Sequence, residues 1–248
     1  MITRLGLLLL TLLSSSLFAQ DIPDFSANYS VSIKGIQAGE MKSQLISLDN
    51  GTREFKSVTQ AKGVFALFKP DLVEESSLWQ LENNQIIPIS YLYQRTGGKK
   101  DKYLSLDFNW QENTLDIDDK KQPWTLKNIA KGTLDKQLYQ IAIMRDLAQH
   151  KTELNYQVAT GGKLKHYQID ILGEEVINTP LGEIKAIKLK RRRDKSKSRQ
   201  TTLWCAPSLN YLPVRLEHIE KDGSLFVATL RRLKGVDSTH AFISDKEK

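Results

Sequence analysis

Apolar and polar residues alternate along most of this chain. Phe25, Ala27, Tyr29, Val31 and Ile33 are interleaved with Ser26, Asn28, Ser30 and Ser32, the two-residue period of a strand with one buried face. A second strand is expected over about residues 40–48. It stops at Asp49-Asn50-Gly51, a hairpin signal because Asn and Gly accept the positive φ of tight turns. Residues 52–61 return as a third strand. Residues 72–81 and 86–94 follow around Glu82-Asn83-Asn84-Gln85, and Pro88, which has no amide hydrogen, places the start of the latter near a sheet edge. Leu104, Leu106, Phe108 and Trp110 repeat the alternation, continued by Leu115 and Ile117 and then by Trp124 and Leu126. Beyond His150 the period returns over residues 154–160, 167–171, 184–189, 203–206, 214–218 and 225–230.

Two stretches depart from this period. Val64–Phe68 is apolar on both sides before Lys69-Pro70, and its pattern admits a buried strand or one turn of helix. The convincing helix begins near Thr133 or Asp135, either of which can accept hydrogen bonds from the first free amides of a helix, and runs to Gln149. Leu134, Leu138, Ile141, Ala142 and Ala148 share one side, while Tyr139, Ile143, Met144 and Leu147 carry the apolar surface around the circumference. A helix apolar nearly all round is buried on several sides. In a β-rich chain it lies across the concave face of a curved sheet, plugs its mouth, or serves as an ordinary core helix. The expected fold is therefore mainly β. It is a single-domain curved antiparallel sheet, closed as a half-barrel, barrel or β-spiral, with one buried helix packed against it.

Residues 1–19 belong outside that fold. Arg4, the apolar run to Leu13 and the small residues ending at Ala19 have the layout of a cleavable secretory signal peptide. The run is far short of the roughly 20 apolar residues a membrane span needs. No cysteine follows it, so a lipoprotein anchor is not expected, and the mature protein is expected in the periplasm, without a membrane span. Removal of these residues lowers the formal net charge from +7 to +6. Residues 20–235 then form one domain, and residues 236–248, rich in Asp, Ser, Thr, Lys and Glu, form a flexible polar tail. The single cysteine, Cys205, forbids an internal disulfide, so the domain must hold by packing.

Charge is concentrated in one place. Between Lys185 and Arg199 there are nine basic residues and one acid, Asp194. Lys190, Arg191, Arg192, Arg193, Lys195, Lys197 and Arg199 are the candidates for contact with an anionic surface. A nucleic-acid partner is not expected, because the segment lacks interleaved aromatics and the signal peptide removes access. An anionic lipid or glycan of the envelope fits better, each Lys or Arg near an anionic leaflet gaining roughly 1 kcal/mol. The plain alternative is an exposed hairpin whose charge keeps it soluble.

Candidate chemistry is sparse. His150, His166, His218 and His240 show no metal-ligand spacing, so no metal or other cofactor is expected. Glu174 and Glu175 are adjacent and point to opposite faces of a strand, and no nucleophile elbow or phosphate loop occurs. Enzymatic activity is not expected. Leu138, Tyr139, Ile141 and Met144 on the helix, with Trp204, are candidates to line an apolar ligand cavity, against the simpler reading that they are core.

The second half also carries an ordered set of motifs. Asp135 and its helix are followed by the segment from Gly173 to Glu183, by Trp204-Cys205-Ala206-Pro207, by Leu212-Pro213-Val214-Arg215 and by Asp222-Gly223-Ser224. In this the chain resembles the bacterial domain-of-unknown-function family 3108. The resemblance implies a periplasmic, β-rich protein and supplies no activity and no catalytic residues. The implied curved sheet with a helix against it is similar to periplasmic lipoprotein-carrier half-barrels and to envelope-integrity β-spirals. Two functions follow as expectations: a periplasmic binding or carrier module for an apolar or lipid-like ligand, or a structural envelope protein that works through a protein partner with no small ligand.

Overall fold

Alternation becomes sheet almost everywhere it occurs. The computed structural model describes residues 22–68, 70–98, 100–192 and 199–243, so the signal-peptide reading of residues 1–19 lies outside the described residues. The first half holds β1 (Phe25–Ile33), β2 (Ile36–Ser47), β3 (Arg53–Ala61), β4 (Leu72–Glu82), β5 (Gln85–Thr96), β6 (Lys102–Asn109), β7 (Thr114–Asp118) and β8 (Trp124–Lys127). The second holds β9 (Leu134–Asp135), β10 (Leu154–Thr160), β11 (Lys163–Thr179), β12 (Gly182–Arg191), β13 (Gln200–Ala206), β14 (Leu212–Ile219) and β15 (Leu225–Lys234). The helices are α1 (Val64–Phe68) and α2 (Leu138–Ala148), so the ambiguous run after β3 is a helical turn.

All fifteen strands join one sheet, in the order β8-β7-β6-β5-β4-β3-β2-β1-β15-β14-β13-β12-β11-β10-β9. Neighbours are antiparallel except β9, which runs parallel to β10. The first and last strands meet in the middle, where β1 bonds to both β2 and β15. The two edges, β8 and β9, are consecutive in the chain, and residues 128–133 cross from one to the other. A small apolar cluster of Tyr91, Leu106, Leu115, Ile117 and Ile129 with Ala159 of β10 packs the two edges together. The Trp124 ring of β8 lies so close to the β10–β11 turn that a Cβ on Gly162 would fall 2.1 Å from it. Gly162, at φ +73°, is therefore required by both conformation and space. The sheet, open in its hydrogen bonding between β8 and β9, thus curls into a barrel-like wall around α2.

Two local expectations shift. Pro88 lies within β5, where it is tolerated because the β5–β6 ladder has already ended at Ser90 and a register shift falls beside it at Leu78/Trp79. Its free carbonyl accepts the Trp110 indole N–H at 2.7 Å. The tail from Val236 is not loose as far as Ile243. Val236, Ala241 and Phe242 pack on the main core, and Ile243 N donates to Glu183 O at 2.8 Å. Apolar residues scattered in the polar stretch give it an anchor that overall composition hides.

Candidate functional site

The lumen is built around α2. Leu138, Ile141 and Ile143 are fully buried, and Tyr139, Ala142, Met144 and Leu147 nearly so. They pack against inward residues of β1 to β5 and of β10 to β15 in a single cluster. The ring of apolar positions finds sheet on every side, and each Leu or Ile so buried contributes roughly 1.5–3 kcal/mol. Tyr139 meets Tyr167 of β11 edge-on, with centroids 5.3 Å apart.

Polar bonds tie both ends of α2 to the wall. The helix begins at Leu138, three residues after Asp135, which itself belongs to β9. Asp135 Oδ1 accepts from Gln137 N at 2.8 Å, from Leu138 N at 2.9 Å and from Ser77 Oγ of β4 at 2.8 Å. The expectation that Asp135 would receive the first free amides is met from outside the helix. Thr133, the other candidate, is bonded instead to Ala130 O and the Gln157 side chain, each at 2.6 Å. Gln137 Nε2 donates to Ser57 Oγ of β3 at 2.9 Å. Lys136 pairs with Glu75 of β4 at 3.2 Å, and Glu75 also accepts from the Tyr91 hydroxyl at 3.0 Å. At the other end Arg145 donates to Asn84 Oδ1 at 2.5 Å, and Tyr156 donates to Asp146 at 2.8 Å.

Burial sets the titration of this interior. Loss of water raises the Asp135 carboxyl to about 7, even though its three hydrogen bonds favour the charged form. Burial, with the Glu75 carboxylate beside it, pushes the Tyr91 phenol far up. Burial alone raises the Cys205 thiol, which leaves it protonated and unreactive.

One space beside α2 is small. A void of about 20 Å³ lies among Phe25, Tyr29, Phe55, Gln140, Met144 and Leu216, room for about a single water. Of the residues expected to line a ligand cavity, Leu138, Tyr139, Ile141 and Met144 do come together, as core around α2, and only Met144 borders this void. Trp204 is buried in the same cluster but does not border the void. Its cross-strand neighbours are Lys188 and Arg215, on the face opposite Leu203 and Cys205. The two cations lie over its ring at 5.2 and 5.5 Å, and its indole N–H donates to Glu175 at 2.7 Å.

The basic segment runs from β12 to the start of β13, and much of its described charge is paired. Arg192 bonds Asp170 at 2.5 Å, Arg199 bonds Glu220 at 2.5 Å, and Lys188 bonds Glu175 at 2.8 Å. The Arg191 guanidinium sits 4.5 Å over the Tyr167 ring, while Lys190 is exposed. Arg193, Lys195 and Lys197 lie outside the described residues.

Sequence reasoning missed the polar collar of Ser57, Glu75, Ser77, Lys136 and Gln137. The available signal was the register of β4. Alternation puts Glu75 and Ser77 on the same inner face as the fully buried Trp79, and polar residues on an inner face need partners. The identity of those partners, as far away as Asp135, was not readable from spacing.

Among the described residues no helix is long and apolar enough to cross a membrane. No curated protein matches this sequence. Among solved structures the chain is similar to a β-barrel-like protein of domain of unknown function DUF1849 from Brucella abortus, with TM-score 0.55 and 7% identity over 88% of this chain and 99% of that one. That likeness is one of fold. A domain from Vibrio parahaemolyticus, described as an outer membrane lipoprotein-sorting protein, overlaps 92% of this chain and 90% of its own at 7% identity, but only loosely, at TM-score 0.23. A DUF1329 family protein from Desulfovibrio piger does likewise at TM-score 0.24 and 11% identity, over 91% of this chain and 89% of that one. The family match is direct and spans residues 28–231, and the chain belongs to the family of proteins of unknown function DUF3108.

Proposed function

We propose that this protein is a non-enzymatic binding module of the bacterial cell envelope that acts from its outer surface while α2 stays in the barrel. The observation that carries this reading is the filled lumen. Drug-sized and lipid-sized ligands occupy pockets of about 300–1,000 Å³. Here Leu138, Ile141 and Ile143 stand where an acyl chain would lie. Release of α2 would break the bonds of Arg145 to Asn84 and of Asp146 to Tyr156, and would pull on those that Asp135, Lys136 and Gln137 just before it make to Ser77, Glu75 and Ser57. A carrier that holds its cargo against the helix needs a chamber at that position, so surface binding is favoured over lumenal transport. Export by the signal-like residues 1–19 and residence in the periplasm belong to the same proposal.

Native mass spectrometry of the protein purified from the envelope fraction, followed by solvent extraction, tests this reading. The expected spectrum shows the polypeptide mass alone. A stoichiometric co-purifying lipid retained through desalting would sink the proposal and restore the carrier.

A further inference from the structure

We propose that the end of the barrel bearing α1 docks on an anionic phospholipid bilayer. Ile36, Val64 and Leu67 enter the interface, and a surrounding set of lysines contacts the headgroups. This deepens the surface-acting reading and rests on it.

The topology gathers the parts. The antiparallel order places the connections after β1, β3, β5, β7, β10, β12 and β14 at one end of the barrel, and those after β2, β4, β6, β8, β11 and β13, with the return from α2 to β10, at the other. Backbone contacts bind neighbours at the first end. Lys34 N donates to Leu225 O at 2.9 Å, joining the β1–β2 turn to the start of β15. Lys62 N donates to Ala38 O at 2.9 Å, setting the α1 segment beside the start of β2. Gly97 packs on Pro70 so tightly that a Cβ there would lie 2.2 Å from the Pro70 carbonyl oxygen.

Charge divides the two ends. Among the described residues the connections at the α1 end carry eight Lys and Arg, whereas those at the far end carry two, Lys131 and Lys151. Lys34, Lys62, Lys100, Lys120, Lys121 and Lys221 are all exposed. Of the acids at this end, Asp71 is paired with Arg95 and Glu220 with Arg199, and Asp101, Asp119 and Asp222 offset part of the remaining positive charge.

The apolar residues at this end are the second observation. Leu67 is 80% exposed, Val64 68% and Ile36 63%, while no other large exposed hydrophobic residue exceeds 52%. All three belong to the adjacent β1–β2 and β3–β4 corners, flanked by Lys34 and Lys62. Single exposed apolar residues need no explanation, but a cluster of them ringed by cations has the chemistry of interfacial attachment. The apolar side chains exchange water for the acyl boundary, and the ammonium groups stay at the level of anionic headgroups. A protein partner would have to supply both an apolar socket and a wide anionic field around it. An anionic leaflet supplies both.

Flotation with extruded vesicles tests the docking. The full protein is incubated with phosphatidylcholine vesicles or with phosphatidylcholine–phosphatidylglycerol vesicles, at low and at raised salt. The expected result is flotation with the anionic vesicles only, weakened by salt and reduced at least tenfold in the double variant Val64→Asp/Leu67→Asp. Leu48→Asp, at the far end of the barrel, should bind as the wild type does. Absence of flotation with anionic vesicles overturns the proposal, and so does undiminished flotation of the double variant. Neither result alters a clean native mass, so loss of the docking proposal and loss of the filled-lumen reading are separable.

Discussion

Two apolar runs in this chain form helices, and they meet opposite surroundings. α2 is enclosed by sheet over most of its eleven residues, with Leu138, Ile141 and Ile143 at zero exposure and only Ala148 at its end exposed, whereas α1 is a five-residue turn that leaves Val64 and Leu67 in solvent. The difference is one of connectivity rather than hydrophobicity. α2 follows an edge strand and is drawn down the barrel axis from the Ser57–Glu75 region to Asn84, fastened at both ends. α1 bridges β3 and β4 at the rim, where no further strand covers it. Comparable apolar composition therefore serves as a plug in one place and as an exposed tip in the other.

The sharpest way to break this comparison is to make α2 as polar as the rim tolerates. Leu138→Arg buries an unpaired guanidinium at a position with no exposure, and is expected to cost about 3–5 kcal/mol or prevent folding. Circular dichroism and denaturant titration would register it, and a well-folded variant with an unchanged midpoint would mean that α2 is not enclosed.

Asp135 offers a gentler probe of the same interior. Its folded value of about 7 lies above the roughly 3.9 of an unfolded aspartate, so the folded state holds the proton more tightly. Its contribution favours folding at low pH and is lost as pH rises from about 4 through 7. Asp135→Asn keeps an oxygen for Gln137 N, Leu138 N and Ser77 Oγ and removes the titration. The stability of the wild type relative to this variant should fall across that window, by an amount on the order of a few kcal/mol, and then level off. Parallel stability curves from pH 4 to 8 would contradict the burial of a titrating Asp135.

Gly162→Ala tests the wall that encloses α2. The methyl group would meet the Trp124 ring at a backbone conformation of φ +73°, and a loss of about 1–3 kcal/mol is expected in the unfolding midpoint. An unchanged midpoint would show that β8 is free to swing away from β10. The smallest expected effect belongs to α1. Leu67→Asp at 80% exposure should change stability by no more than about 0.5 kcal/mol while impairing vesicle attachment. A large stability loss would place Leu67 in a packing role.

The barrel was legible because one-sided strands must alternate. Phe25, Ala27, Tyr29 and Val31 are all buried as the pattern demands, and the circumferentially apolar helix is enclosed. Closure was not legible. It depends on Ile129 and Trp124 meeting Ala159 and Gly162 across the seam, contacts between residues thirty or more apart that no local period encodes. The same limit hid the Ser77–Asp135 bond and the Glu175, Lys188 and Arg215 partners of Trp204. The basic hairpin was visible as composition, yet Asp170, Glu220 and Glu175 pair with it only through cross-strand register. The basic end of the barrel emerges only once the order of strands assigns each turn to an end.

Hydrogen–deuterium exchange of α2, with and without phosphatidylglycerol-containing vesicles, tests most directly whether the protein works with its lumen filled. The expected result is that amides of residues 141–148 stay protected to the same degree in both conditions, while any change falls at the α1 end. Rapid exchange of those amides on vesicle addition would mean that the helix leaves the barrel, and that the lumen rather than the rim is the working surface.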